Sequence, residues 1–179
     1  EKDYSKILFL GRICRNKGIS ELLAAMDEIH DKRPEVTLYL GGIYEEDAYR
    51  SEVEKRSSYV KALGWIMGSQ KYELLEKCGI LVLPSYFEGF PLSVIEGMLH
   101  GCAVISTDVG GIPEAIEDGI SGILIKPKDV AGLKNAIERV TDDKEYAKRL
   151  SCGGIKTAKE KYSLEKNLQK LIEIYKNLV

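Results

Sequence analysis

The chain has 179 residues, 44% of them hydrophobic, enough for one domain with a buried core. Its 26 basic and 28 acidic residues leave a formal net charge of −2, which gives no reason to expect nucleic acid as a partner. No apolar run approaches the ~20 residues of a membrane span, and no signal peptide opens the chain. Cys14, Cys78, Cys102 and Cys152 are too widely spaced, beside only 2 histidines, to suggest a metal site, and they read as reduced thiols of a cytosolic protein. The chain lacks an initiating Met and enters a strand almost at once, as a fragment cut at a domain boundary would.

In chain order, Lys6–Leu10 predicts a short buried strand and Gly11–Gly18 a basic loop. Ile19, Leu22, Leu23, Met26 and Ile29 have helical spacing and predict a helix over Ile19–Asp31. Val36–Leu40 reads as the second strand, Glu45–Ser57 as a solvated helix and Tyr59–Leu63 as the third strand. Ser69 is placed to cap a helix running through Lys77, and Ile80–Leu83 is a fourth strand stopped by Pro84. Leu92–His100 reads as a helix closed by Gly101, Ala103–Ser106 as a strand, Ile112–Ile116 as a short helix and Gly122–Ile125 as the sixth strand. Helices follow over Val130–Val140, Lys144–Ser151 and Leu164–Leu178. The last carries an apolar stripe of Leu164, Leu168, Leu171, Ile172, Tyr175 and Leu178, suited either to this domain or to a neighbour. Short, continuously apolar strands alternating with helices predict an α/β fold: a Rossmann-like, three-layer, doubly wound parallel sheet of about six strands in a single domain. Ligands of such sheets bind at the carboxyl ends of the strands.

Three segments carry candidate chemistry. The first loop, Gly11-Arg-Ile-Cys-Arg-Asn-Lys-Gly18, lacks the glycine patterns of dinucleotide and phosphate loops. It instead sets Arg12, Arg15 and Lys17 between a strand and a helix start, where a diphosphate would meet cations and helix N–H groups together; a solvated basic turn is the plainer alternative. The second, Ser85-Tyr-Phe-Glu-Gly-Phe-Pro-Leu-Ser-Val-Ile-Glu96, puts Glu88 in a loop and Glu96 one turn into a helix. Two carboxylates so separated suit a polyhydroxy ligand, and backbone N–H groups near Pro91–Val94 suit an anion. Paired carboxylates also suit glycoside hydrolysis, but the basic loop beside them argues for a phosphate ligand. Each acid alone is equally readable as a plain loop acid or a first-turn acid. The third, Ser106 to Glu114, holds Gly110-Gly111 before Ile112-Pro113, either a close backbone approach at a helix start or a simple turn. Trp65 either floors a pocket or packs. His30 and His100, near helix ends, read as noncatalytic.

GRICRNKG, SYFEGFPLSVIEGMLHGCAVISTDVGGIPEAI and DGISGILI together resemble the C-terminal domain of family 4 (group 1) retaining glycosyltransferases, over essentially the whole chain. The core of the resemblance is the Glu88 to Glu96 spacing inside EGFPLSVIEGM. It implies a GT-B fold with two Rossmann-like domains, of which this is the donor-binding one. It implies further that Arg12 and Lys17 sit on the donor diphosphate and act with Glu88 at the reaction centre, where Glu88 contacts hydroxyls of the transferred sugar. Backbone amides of the Gly89, Phe90, Pro91, Leu92 loop would hold sugar and phosphate, Glu96 the nucleotide ribose, and Gly64 to Ile66 the base. The implied reaction is front-face displacement with retention, without a metal or cofactor. The implied donor is a UDP- or GDP-linked hexose, and the product lies in cell-surface polysaccharide synthesis. The acceptor, a glycan or lipid-linked sugar, and the family's key histidine belong to an N-terminal domain toward which the last helix crosses. The implied location is cytoplasmic, with association of the full-length enzyme with the inner membrane face left open. Gly41-Gly42 departs from the usual Gly-x-Gly-Pro and leaves the base-side contacts open, and His100 replaces a small residue. A sugar-nucleotide epimerase of the same fold and a noncatalytic Rossmann-like nucleotide-binding module are the alternatives.

Overall fold

The computed structural model describes residues 1–176. Six strands form one sheet: β1 (Asp3–Leu10), β2 (Thr37–Gly41), β3 (Val60–Gly64), β4 (Cys78–Leu83), β5 (Ala103–Thr107) and β6 (Ile123–Ile125). All pairings are parallel and the order is β3-β2-β1-β4-β5-β6. Consecutive strands cannot pair in parallel without a crossover, so each connection carries chain back across the sheet. Each of the five connections carries a helix: α1 (Ile19–His30), α2 (Ala48–Glu54), α3 (Gly68–Lys77), α4 (Leu92–Leu99) and α5 (Ile112–Ala115). Three more close the chain, α6 (Val130–Asp142), α7 (Lys144–Tyr162) and α8 (Leu164–Lys176). The expected three-layer, doubly wound Rossmann-like sheet is what the chain forms.

Burial explains why the strands read as unbroken apolar runs. Ile7, Leu8 and Phe9 in β1 and Ile80, Leu81 and Val82 in β4 are wholly buried, because helices cover both faces of the central strands. α1 turns Ile19, Leu22, Leu23, Met26 and Ile29 into the same core and packs on α6, while α4 packs on α7.

Several boundaries differ from expectation. α7 does not stop at Ser151 but runs on to Tyr162. Gly153 and Gly154 are not helix breakers here. A Cβ on Gly153 would overlap the carbonyl oxygen of Ile120, so the glycine lets α7 lie directly on the turn before β6. The solvated helix expected over Glu45–Ser57 shrinks to α2, because Glu45 and Glu46 leave the helix to bond the first loop. α3 starts at Gly68 after an extended Met67, and no side chain caps it, so Ser69 is inside the helix rather than its cap. In α8, Leu168, Leu171, Ile172 and Tyr175 are about half exposed or more. Leu178 and the side chain of Leu164 lie outside the described residues. No helix among the described residues is long and apolar enough to cross a membrane.

Candidate functional site

Between β1 and β4 the strand order reverses, and the loops leaving these two strands diverge around a crevice at the carboxyl edge. A cleft of about 430 Å³ opens there, lined by Arg12, Lys17, Glu88 and Glu96 among its charged groups.

Each wall follows from local sequence. After β1 the chain is held to the loop that follows β2, with Ile13 N–H donating to Ile43 O at 2.8 Å and Glu45 N–H to Ile13 O at 3.1 Å. A 3-10 turn over Arg15–Lys17 then ends at Gly18, whose φ of 70° lies in the left-handed region that glycine favours. A Cβ there would also overlap the carbonyl oxygen of Pro84. The glycine thus brings the first loop onto the loop after β4, and Lys17 Nζ donates to Glu88 Oε1 at 2.5 Å. Ser85 Oγ donates to the same oxygen at 2.7 Å, and Glu88 is only 9% exposed.

The Glu88 loop is tied down on every side. Tyr86 N–H donates to Asn16 O at 2.8 Å, and its hydroxyl donates to Glu21 Oε1 at 2.6 Å. Burial first, and Glu21 second, push the Tyr86 phenol up to about 12. Thr107 Oγ1 donates to Ser85 O at 2.6 Å, and Gly111 N–H to Glu88 O at 3.2 Å. Gly110, at φ 53°, passes so close that a Cβ would overlap the Glu88 carbonyl oxygen. The Gly110-Gly111 pair is therefore a close approach that braces this loop, not just a turn.

The start of α4 needs one correction. Leu92 N–H is not free but donates to Phe90 O at 3.0 Å, and Pro91 has no N–H. Among the described residues, the Ser93 and Val94 N–H groups at this helix start have no hydrogen-bond partner. One turn further in, Glu96 reaches the cleft, and its Oε1 accepts from Lys71 Nζ of α3 at 2.6 Å. Arg12 also lines the cleft, its guanidinium 58% exposed and paired with Glu45 at 2.7 Å. Arg15 is not in the lining; its backbone N–H holds Glu46 Oε1 at 2.8 Å.

Of the other residues singled out, Phe90, Pro91, Leu92 and Ile66 line the cleft. Gly64 and Gly89 do not; Gly64 O accepts from Gly42 N–H at 2.8 Å and so sets the turn that presents Ile66. Gly41 and Gly42 line the cleft next to Ile66, so the departure from Gly-x-Gly-Pro falls on the wall itself. Trp65 and Met67 line the cleft while about two-thirds exposed, so Trp65 does not pack in the core. Lys71 went unnoticed in the sequence, because it sits in a charged helix with no motif around it. His30 stacks on Tyr59 and His100 on Tyr72, and neither histidine is in the lining.

The model of the glycosyl transferases group 1 family matches residues 4–143. The chain belongs to that family. It is 30% identical over 175 residues, 97% of its length and 45% of the other's, to an N,N'-diacetylbacillosaminyl-diphospho-undecaprenol alpha-1,3-N-acetylgalactosaminyltransferase of Campylobacter jejuni. Among solved structures it superposes with a TM-score of 0.80 on the C-terminal domain of a group 1 glycosyl transferase from Francisella tularensis, at 27% identity, covering 89% of this chain and 86% of that one. It superposes at 0.87 on the HepE protein of Anabaena in complex with UDP, at 23% identity, covering 96% of this chain and 48% of that one. The chain spans about half the length of the curated relatives it matches.

Proposed function

We propose that this chain is the donor-binding half of a retaining glycosyltransferase, which moves a hexosyl group from a nucleotide-diphosphate sugar to a glycan or lipid-linked acceptor in cell-surface polysaccharide synthesis. One observation carries the reading: Lys17 and Glu88 meet at 2.5 Å in the same cleft as Arg12 and Glu96, at the point where the strand order reverses. A diphosphate needs fixed cations and unpaired N–H groups, and Lys17, Arg12 and the Ser93–Val94 amides offer both. A sugar needs acceptors for its hydroxyl hydrogens, and the buried Glu88 carboxylate offers one beside them. As the sugar–phosphate bond breaks, charge grows on the departing diphosphate, where preorganised cations act with most effect. The UDP held by the HepE structure is of the same ligand class.

Alone, the chain is expected to bind a nucleoside diphosphate weakly and to transfer nothing, since the acceptor would be held by the other half of the full-length enzyme. Titration calorimetry with UDP, GDP and ADP tests this. Failure of all three to bind, or unchanged binding after Lys17→Ala and Glu96→Ala, would sink the proposal.

A further inference from the structure

Lys71 and Glu96 form a second cation–carboxylate pair in the cleft, and nothing in the donor-site reading so far gives Lys71 a role. Lys71 stands in the first turn of α3 and Glu96 one turn into α4, with side chains 23% and 34% exposed. Beside this pair Tyr72 of α3 stacks on His100 at the end of α4, and the Lys71 ammonium lies 5.5 Å from the Tyr72 ring centroid. The ammonium is thus held in place at the cleft wall. A pair this open to solvent adds little stability, so its arrangement asks for another explanation.

The unused valences supply one. Glu96 Oε1 is occupied by Lys71, while Oε2 carries no hydrogen bond among the described residues. An ammonium has three donors and only one is spent on Glu96. The wall therefore presents an acceptor directly beside a donor. Here one hydroxyl can donate to Oε2 while the oxygen of its neighbour accepts from Lys71. Taking the cleft as the nucleotide-sugar site, on which this inference rests, we infer that Lys71 is a ribose-recognition residue that, with Glu96, requires both ribose hydroxyls of the donor nucleotide.

The test compares whichever of UDP, GDP or ADP binds with its 2′-deoxy counterpart, by titration calorimetry on this chain. The wild type should prefer the ribonucleotide by roughly tenfold, the effect of one hydrogen bond involving a charged group. Lys71→Met keeps the length of the side chain without its donors and should bring that ratio close to one, with a melting curve like that of the wild type. Lys71→Leu, which also lacks a donor, serves where the methionine variant melts early, and the same loss of preference is expected. If Lys71 only steadied Glu96, the methionine variant would weaken both nucleotides by the same factor and keep the ratio; that result, or a wild-type ratio near one, overturns the inference. A wild-type chain that binds none of the ribonucleotides overturns the donor-site reading itself, and the role of Lys71 with it.

Discussion

Glu88 and Glu96 share one cleft and each has a lysine, yet the two walls are built in opposite ways. Glu88 is 9% exposed, receives Lys17 and Ser85 on one oxygen, and sits in a loop braced by Tyr86, Thr107 and Gly111. Glu96 stands on a helix, a third exposed, with Lys71 alone on its carboxylate. The first wall is preorganised and integral to the fold. The second is a surface arrangement that a ligand can use without disturbing the core. A site so divided can hold the reacting end of a ligand rigidly while its other end is read by adaptable groups.

The largest expected effect follows from that difference. Removing Glu88 leaves the Lys17 ammonium, 16% exposed, without its counter-charge. Breaking a buried pair in this way costs about 3 kcal/mol, whereas losing an exposed pair costs under about 1 kcal/mol. Urea denaturation of Glu88→Ala and Glu96→Ala should show that asymmetry. Equal losses would mean that the two walls are not built differently after all.

Tyr86 offers a narrower test, because it fastens the Glu88 wall to α1 through Glu21. Its folded pKa is raised to about 12, above the ordinary tyrosine value of 10.0, so the fold favours the protonated phenol. Its contribution is then complete below pH 10 and declines as pH rises toward 12. Tyr86→Phe removes one hydrogen bond to a carboxylate, worth about 1.5 kcal/mol near neutrality. It should also flatten the part of the stability curve between pH 10 and 12 that Tyr86 supplies. Chemical denaturation at a series of alkaline pH values checks both, and an unchanged alkaline slope would remove Tyr86 from the brace.

The same contrast sets what the sequence could reveal. The six parallel strands and the placing of Lys17, Glu88 and Glu96 at one carboxyl edge were legible, because apolar runs and turn residues encode a parallel sheet locally. The long α7 was not, since Gly153 looks like a stop until the carbonyl of Ile120 is seen beneath it. Nor was the bond from Phe90 O to Leu92 N–H, which depends on backbone angles around a proline. Lys71 was hidden for a related reason: its partner lies 25 residues away, and helical charge patterns speak only of neighbours three or four apart. The family resemblance supplied roles that spacing alone had left open between ligand contacts and ordinary surface acids.

Cys14 provides the most delicate probe of whether the first wall is held from the Glu88 side. It is 3% exposed, and burial, then a hydrogen bond to Glu45, push its thiol above the ordinary range. It therefore reacts only when the first loop opens, whereas Cys152 is exposed and should react at once. If Lys17–Glu88 closes that loop, Glu88→Ala should speed modification of Cys14 by iodoacetamide roughly tenfold, equivalent to about 1.4 kcal/mol in the opening equilibrium. Glu96→Ala, which leaves that pair intact, should not change it. Cys78 and Cys102, buried in the sheet core, report global unfolding in the same experiment when peptides are resolved by mass spectrometry. Cys14 reacting far faster than Cys78 and Cys102, whose rates follow the global loss of stability, would locate the effect in the loop. Acceleration by Glu96→Ala as well would show that the walls open together, and the division drawn between them would fail.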